Sequence, residues 1–201
     1  MRKRGIIVAT MLAVGVLGSA SAQTITMKVD CAKGQSISGA IARADARSPL
    51  VINVRGTCNE FVTIGRNNVT LRGDPSATII APNSTSDVVA VDGDGVTLEN
   101  LTLTGGYYGV RNNQVVRLLV RNSVIQDTAS DGIRIFVGDT RITGTTIQRA
   151  GGNGVYLTRG GSLGASGNSQ FLKNASAGVY AYGNSTAAVS ASTISGNVTG
   201  V

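Results

Sequence analysis

The sequence predicts an all-β chain wound as a β-solenoid, and three ladders of residues predict it. Gly-hydrophobic pairs recur at Gly109-Val110, Gly132-Ile133, Gly154-Val155, Gly178-Val179 and Gly200-Val201, spaced 23, 22, 24 and 22 residues apart. In step with them run Leu98, Val120, Ile142, Ala165 and Val189, spaced 22, 22, 23 and 24, and Leu103, Ile125, Ile147, Phe171 and Ile194, spaced 22, 22, 24 and 23. Each repeat of 22–24 residues thus offers three short apolar segments separated by Gly, Asn, Asp, Ser and Thr. That pattern means three strands and three turns per coil, with no room for a helix. Composition agrees. Aromatics make up only 4% of the chain, because a narrow interior filled by stacked Val, Ile, Leu and Ala needs few of them. With 42% hydrophobic and 14% charged residues, disorder is excluded and one elongated domain is expected.

Residues 1–22 read as a secretory signal. Arg2, Lys3 and Arg4 precede an apolar run from Ile6 to Leu17, and Ala20-Ser21-Ala22 is a small-residue cleavage site. The run is too short to span a bilayer comfortably, so no membrane span is expected once the signal is removed. Removal also takes away three basic residues, leaving 15 Lys and Arg against 11 Asp and Glu, a net charge of +4 instead of +7. No nucleic-acid partner is expected. The expected location is secreted, periplasmic or at the cell surface, and an oxidising compartment favours a disulfide between the only two cysteines, Cys31 and Cys58.

Residues 23–60 read as an N-terminal cap. Ile25 to Val29 alternate like a strand, and Ser36 to Arg47 read as a short amphipathic helix with Ile37, Ala40, Ile41 and Ala44 on one face. Ser36 or Ser38 serves as its N-cap, and Pro49 follows its end. Val51 to Val54 form the next strand. A helix laid over the first coil and tied on by Cys31–Cys58 would cover an open apolar end and a row of strand edges. The coils fill residues 61–201. Phe61–Ile64, Val69–Leu71 and Ala77–Ile80 make an irregular first turn interrupted at Asp74-Pro75, and regular coils begin near Val88. One polar corner carries Asn100, Asn122, Gly144 and Gly167-Asn168 at coil spacing, so it is either a run of ordinary turn formers or a stacked asparagine ladder.

Taken together, the Ser36-Ile37-Ser38-Gly39-Ala40-Ile41 helix, the run from Val54 to Ile64, and Val69-Thr70-Leu71-Arg72-Gly73 resemble the cap and first coil of the pectin-lyase-like superfamily. The resemblance covers the chain from about Gly34 onward. It implies a single-stranded right-handed parallel β-helix of about six or seven coils, roughly 30 Å long at about 4.8 Å per coil. It also implies a groove beside the first sheet in which sugar chains bind.

Function is read from what the coils expose. If Val110, Ile133, Val155 and Val179 point inward, alternation turns Arg111, Arg134, Tyr156 and Tyr180 outward, followed two residues on by Asn113, Phe136, Thr158 and Tyr182. With Phe61, Tyr107 and Tyr108, this places seven of the eight aromatics on or just before one sheet, while Phe171 belongs to an inward ladder. Rings stack on sugars, and guanidinium groups pair with carboxylates or sulfates. Arg111, Arg134, Phe136, Tyr156, Arg159, Tyr180 and Tyr182 therefore form the candidate binding stripe, with an acidic polysaccharide as the expected partner.

Catalysis has thinner support. There is no His, so His-based triads and His-ligated metals are excluded, as is the Gly-His-Gly element of the superfamily's polygalacturonases. Asp131-Gly132-Ile133 matches only a fragment of their motif, and hydrolysis needs two placed carboxylates. The alternative is a Ca²⁺-dependent polysaccharide lyase, degenerate or truncated, in which Arg111, Arg134 or Arg159 is the base and Asp127 with Asp131, or Asp92 with Asp94, supplies oxygens for Ca²⁺. Asp92-Gly93-Asp94-Gly95 reads more readily as turn chemistry. No other cofactor is expected. A third reading is a structural, self-assembling surface protein, associating through the C-terminal coil where Gly200-Val201 opens another repeat.

Overall fold

A computed structural model describes residues 23–114 and 117–200. The secretory signal read at residues 1–22 lies outside the described residues, as does Val201. The strands are parallel throughout. Six three-residue strands form the first sheet: Val62–Ile64, Val89–Val91, Val110–Asn112, Ile133–Ile135, Val155–Leu157 and Val179–Ala181. Twelve further strands make up the second and third faces of the coil.

Each sequence ladder is one column of this structure. Val110, Ile133, Val155 and Val179 are register partners. Leu98, Val120, Ile142, Ala165 and Val189 line the second face, and Leu103, Ile125, Ile147, Phe171 and Ile194 the third. Stacking like on like fills a core one side chain deep, and even Phe171 is fully buried in it. The glycine ladder has a steric cause. A Cβ on Gly132 would stand 2.7 Å from the Gly154 carbonyl oxygen of the next coil and would strike the inward methyl of Ile147, so only Gly can enter the first sheet there.

The polar corner is made by left-handed backbone: Asn100, Asn122, Gly144, Gly167 and Asn168 all have φ between 49° and 63°. The stacked ladder sits one residue later, on hydroxyls. Ser123 Oγ accepts from Leu101 N, Thr145 Oγ1 from Ser123 N, and Ser169 Oγ from Thr145 N, at 3.2–3.4 Å. These bonds satisfy amides that a tight bend removes from the strand ladder. Three strands per coil hold from Arg117–Arg121 and Val124–Gln126 onward. Before that, Leu50–Asn59, Val69–Ile80 and Val96–Thr104 each run unbroken around the same corner, absorbing the bend as register shifts at Val54/Gly56 and Arg72/Ala77.

At the N-terminal end, Ile25–Asp30 pairs with Leu50 to Arg55. The cap helix is shorter than the apolar pattern suggests, Ile37–Arg43. Its start is fixed by Ser36 Oγ, accepting from Gly39 N at 2.8 Å, and by the Glu60 carboxylate, accepting from Ile37 N and Ser38 N at 2.7 and 3.1 Å. Its end comes early because Ala44 is extended and Arg66 takes the carbonyls of Ala44, Asp45 and Ser48. The Cys31–Cys58 disulfide joins this cap to the first long strand, with Cα atoms 5.1 Å apart.

Candidate functional site

The outward column of the first sheet reads Thr63, Ala90, Arg111, Arg134, Tyr156 and Tyr180, partner to partner. The structure thus brings together the stripe that alternation predicts. It does not leave the stripe uniform, because two of its three arginines are held by carboxylates.

Arg111 donates through Nε to Asp87, whose side chain is 9% exposed. Arg134 donates through Nη1 to Asp131 Oδ2 at 2.9 Å, and the Asp131 side chain is 3% exposed. The other Asp131 oxygen accepts from the backbone N and Nδ2 of Asn153 at 2.8 and 2.9 Å, and Asn153 Oδ1 in turn accepts from Ala177 N. This relay crosses three coils. The Arg134 guanidinium carbon lies 3.6 Å from the Tyr156 ring centroid, 5.2 Å from that of Phe136 and 5.7 Å from that of Tyr108. A planar cation stacked at that distance gains attraction from the ring and shields one of its faces. Burial in this wedge raises the Tyr108 hydroxyl above its ordinary pKa, with the Arg134 charge opposing that rise.

Tyr156 is covered from the next coil as well, by Tyr180 at 5.2 Å between centroids. Beyond it the stripe opens. Tyr180 is 42% exposed and Tyr182 62%. Arg159 is exposed at a left-handed corner, φ 54°, with its guanidinium carbon 5.7 Å from the Phe136 ring. No carboxylate among the described residues forms an ion pair with it. Tyr107 is also exposed, packed edge-on against Tyr108. Grooves open at the cap, lined by Lys28, Asp30 and Arg55, and on the second face, lined by Leu119, Arg141 and Ala188. The stripe lies outside them.

The carboxylates considered for Ca²⁺ have protein partners. Asp127 accepts from Arg149 Nε and Nη2 at 2.7 and 2.9 Å, a pairing that holds its carboxyl below the usual range. Asp94 is held low by Arg117 in the same way, and Asp92 accepts from Asn113 Nδ2 at 3.2 Å. Among the described residues, one group of three Cys, Asp or Glu ligand atoms lies within metal-binding reach: Cys31, Cys58 and Glu60. Its cysteines are joined in the disulfide and its carboxylate caps the helix. Asp87 and Asn153 are the partners that alternation overlooks. Asn153 carried a signal, since Tyr108, Asp131, Asn153 and Ala177 all immediately precede the ladder glycines.

A sequence model described as the right-handed β-helix region matches residues 50–201. No curated protein and no solved structure gives a significant match. The repeat register, the parallel coils and this match over three quarters of the length agree, and the chain belongs to the right-handed β-helix family.

Proposed function

We propose that this is an exported β-helix protein that binds polysaccharide along its first sheet, with the contact centred on Tyr180, Tyr182 and Arg159. The observation that carries the reading is the exposure of Tyr180 on the outward column of the first sheet and of Tyr182 just past the end of its strand, with Arg159, a cation with no acid partner among the described residues, one coil before them. A sugar ring stacks its C–H face on an aromatic ring and hydrogen-bonds at its rim, which suits an open platform. The disulfide is compatible with an oxidising location, and among the described residues no helix is long and apolar enough to cross a membrane.

Affinity electrophoresis through gels containing soluble polysaccharides tests this. Retardation of the native chain, lost in Tyr180→Ala/Tyr182→Ala while circular dichroism is unchanged, is the expected result. Equal retardation of the double variant would move the contact elsewhere. If light scattering instead shows concentration-dependent association that the double variant abolishes, the rings serve a protein interface.

A further inference from the structure

Resting on that reading, we infer that the polymer is uncharged along most of its length, and that the first sheet selects against polyuronates. Two of the stripe's three charges are already spent within the protein. Arg111 and Arg134 are each committed to a carboxylate less than a tenth exposed, Asp87 and Asp131. Turning Arg134 outward to meet a ligand would strand Asp131 as an uncompensated buried charge, and would uncover Tyr156, against which the guanidinium lies at 3.6 Å. Arg134 therefore acts as an internal strut. With Asp92 beside Asn113, the face sets three arginines against three aspartates, Arg111, Arg134 and Arg159 against Asp87, Asp92 and Asp131.

A polyuronate carries a carboxylate on every ring. Laid along the axis, it would bring a negative charge to nearly every coil. Only the coil of Arg159 answers with a cation that has no partner among the described residues. Every other carboxylate would be pressed against aromatic carbon or face a like charge, losing water without gaining a counter-ion. An uncharged pyranose loses much less on the same surface and gains the stacking offered by Tyr180 and Tyr182. Arg159 then reads a single hydroxyl-rich rim or an isolated acid group.

The test is affinity electrophoresis of the native chain and of Tyr180→Ala/Tyr182→Ala in gels containing hydroxyethylcellulose, galactomannan or polygalacturonate, at low and high salt. The expected result is binding to at least one uncharged polymer, weaker to polygalacturonate by about tenfold or more. That binding should depend little on salt, because it rests on stacking. Polygalacturonate binding that equals or exceeds the uncharged polymers, falls steeply with salt and is lost in Tyr180→Ala/Tyr182→Ala overturns the inference while leaving the site standing. Retardation by none of the polymers overturns the site and the inference together.

Discussion

The two ends of the aromatic stripe occupy the same sheet in the same register and are built to opposite ends. At Arg111 and Arg134, each outward cation meets a buried carboxylate, and Arg134 lies on the Tyr156 ring. One and two coils further on, Tyr180 continues that column while Arg159 and Tyr182 stand just past the strand ends, giving exposed rings and a guanidinium without a carboxylate partner among the described residues. Stacked repeats alone give no reason for this difference, since every coil presents the same backbone. Arg111 is held from the preceding coil by Asp87, and from Arg134 onward the difference is made by the residue before the ladder glycine. Asp131 and Asn153 build a polar relay there, and Ala177 ends it by supplying only a backbone N–H. Where the relay runs, the surface is closed upon itself. Where it stops, the surface is available.

Removing the centre of the closed end is the strongest way to break this contrast. Asp131→Ala leaves the Arg134 charge, 21% exposed, without its carboxylate, and leaves the Asn153 amide groups without their acceptor. The expected cost is about 3 kcal/mol, toward the lower end for breaking a buried pair. For a chain of this size that is a fall in Tm on the order of 10 °C by calorimetry. Glycan retardation of the folded variant should persist. A Tm within a degree of the native value would show that the relay is incidental.

Arg134→Lys is a smaller and more discriminating change. It keeps the charge beside Asp131 but replaces a planar group stacked on Tyr156 with a compact ammonium. A loss of about 1 kcal/mol in urea unfolding is expected. Near-ultraviolet circular dichroism should change as Tyr156 gains freedom, with little effect on polysaccharide binding. Strong loss of binding in this variant would make Arg134 a ligand contact and merge the two ends into one site.

The closed end also predicts a pH dependence. Burial raises the Tyr108 hydroxyl above its ordinary pKa of 10.0, so the folded state holds that proton when the unfolded chain has begun to release it. The unfolded state then binds fewer protons, and stability falls as pH rises. The Tyr108 contribution is complete below pH 10 and is lost as pH climbs through the folded value. Urea midpoints measured at pH 9 and pH 11 should fall less in Tyr108→Phe than in the native chain. Parallel falls would place the alkaline loss at other tyrosines.

Most of the coil could be read from spacing, because a solenoid repeats its contacts at the interval of its sequence. The Val110, Leu98 and Leu103 columns came directly from residues 22–24 apart. The outward stripe followed from alternation alone. Pairing was less accessible. Arg111 meets Asp87 across 24 residues, but Arg134 meets Asp131 only three away, so no single interval finds both. The corner was legible as a column, with ordinary turn formers and a stacked asparagine ladder both open. The left-handed backbone uses Asn100 and Asn122 as turn formers, and the stacking bonds fall to Ser123, Thr145 and Ser169 one residue later. Helix length failed for a related reason: Arg66, over twenty residues away from Ala44, takes the carbonyls that another turn would need.

The smallest stability effect is expected at the open end. Tyr182→Ala removes a ring that is 62% exposed and whose hydroxyl makes no hydrogen bond to the described residues. Little apolar surface returns to water, so folding should change by no more than about 0.5 kcal/mol. The backbone amide of Tyr182, bonded to the Leu157 carbonyl at 2.9 Å, keeps its partner, so the strand stays in place. A large exposed aromatic that contributes almost nothing to the fold is costly to keep in water and has its use at a contact. Equal unfolding midpoints for the two proteins, together with reduced retardation in the polysaccharide gel, are therefore the expected pair of results. If Tyr182→Ala unfolds several degrees early, the ring is part of the structure, the open end is as closed as the other, and the contrast between them disappears.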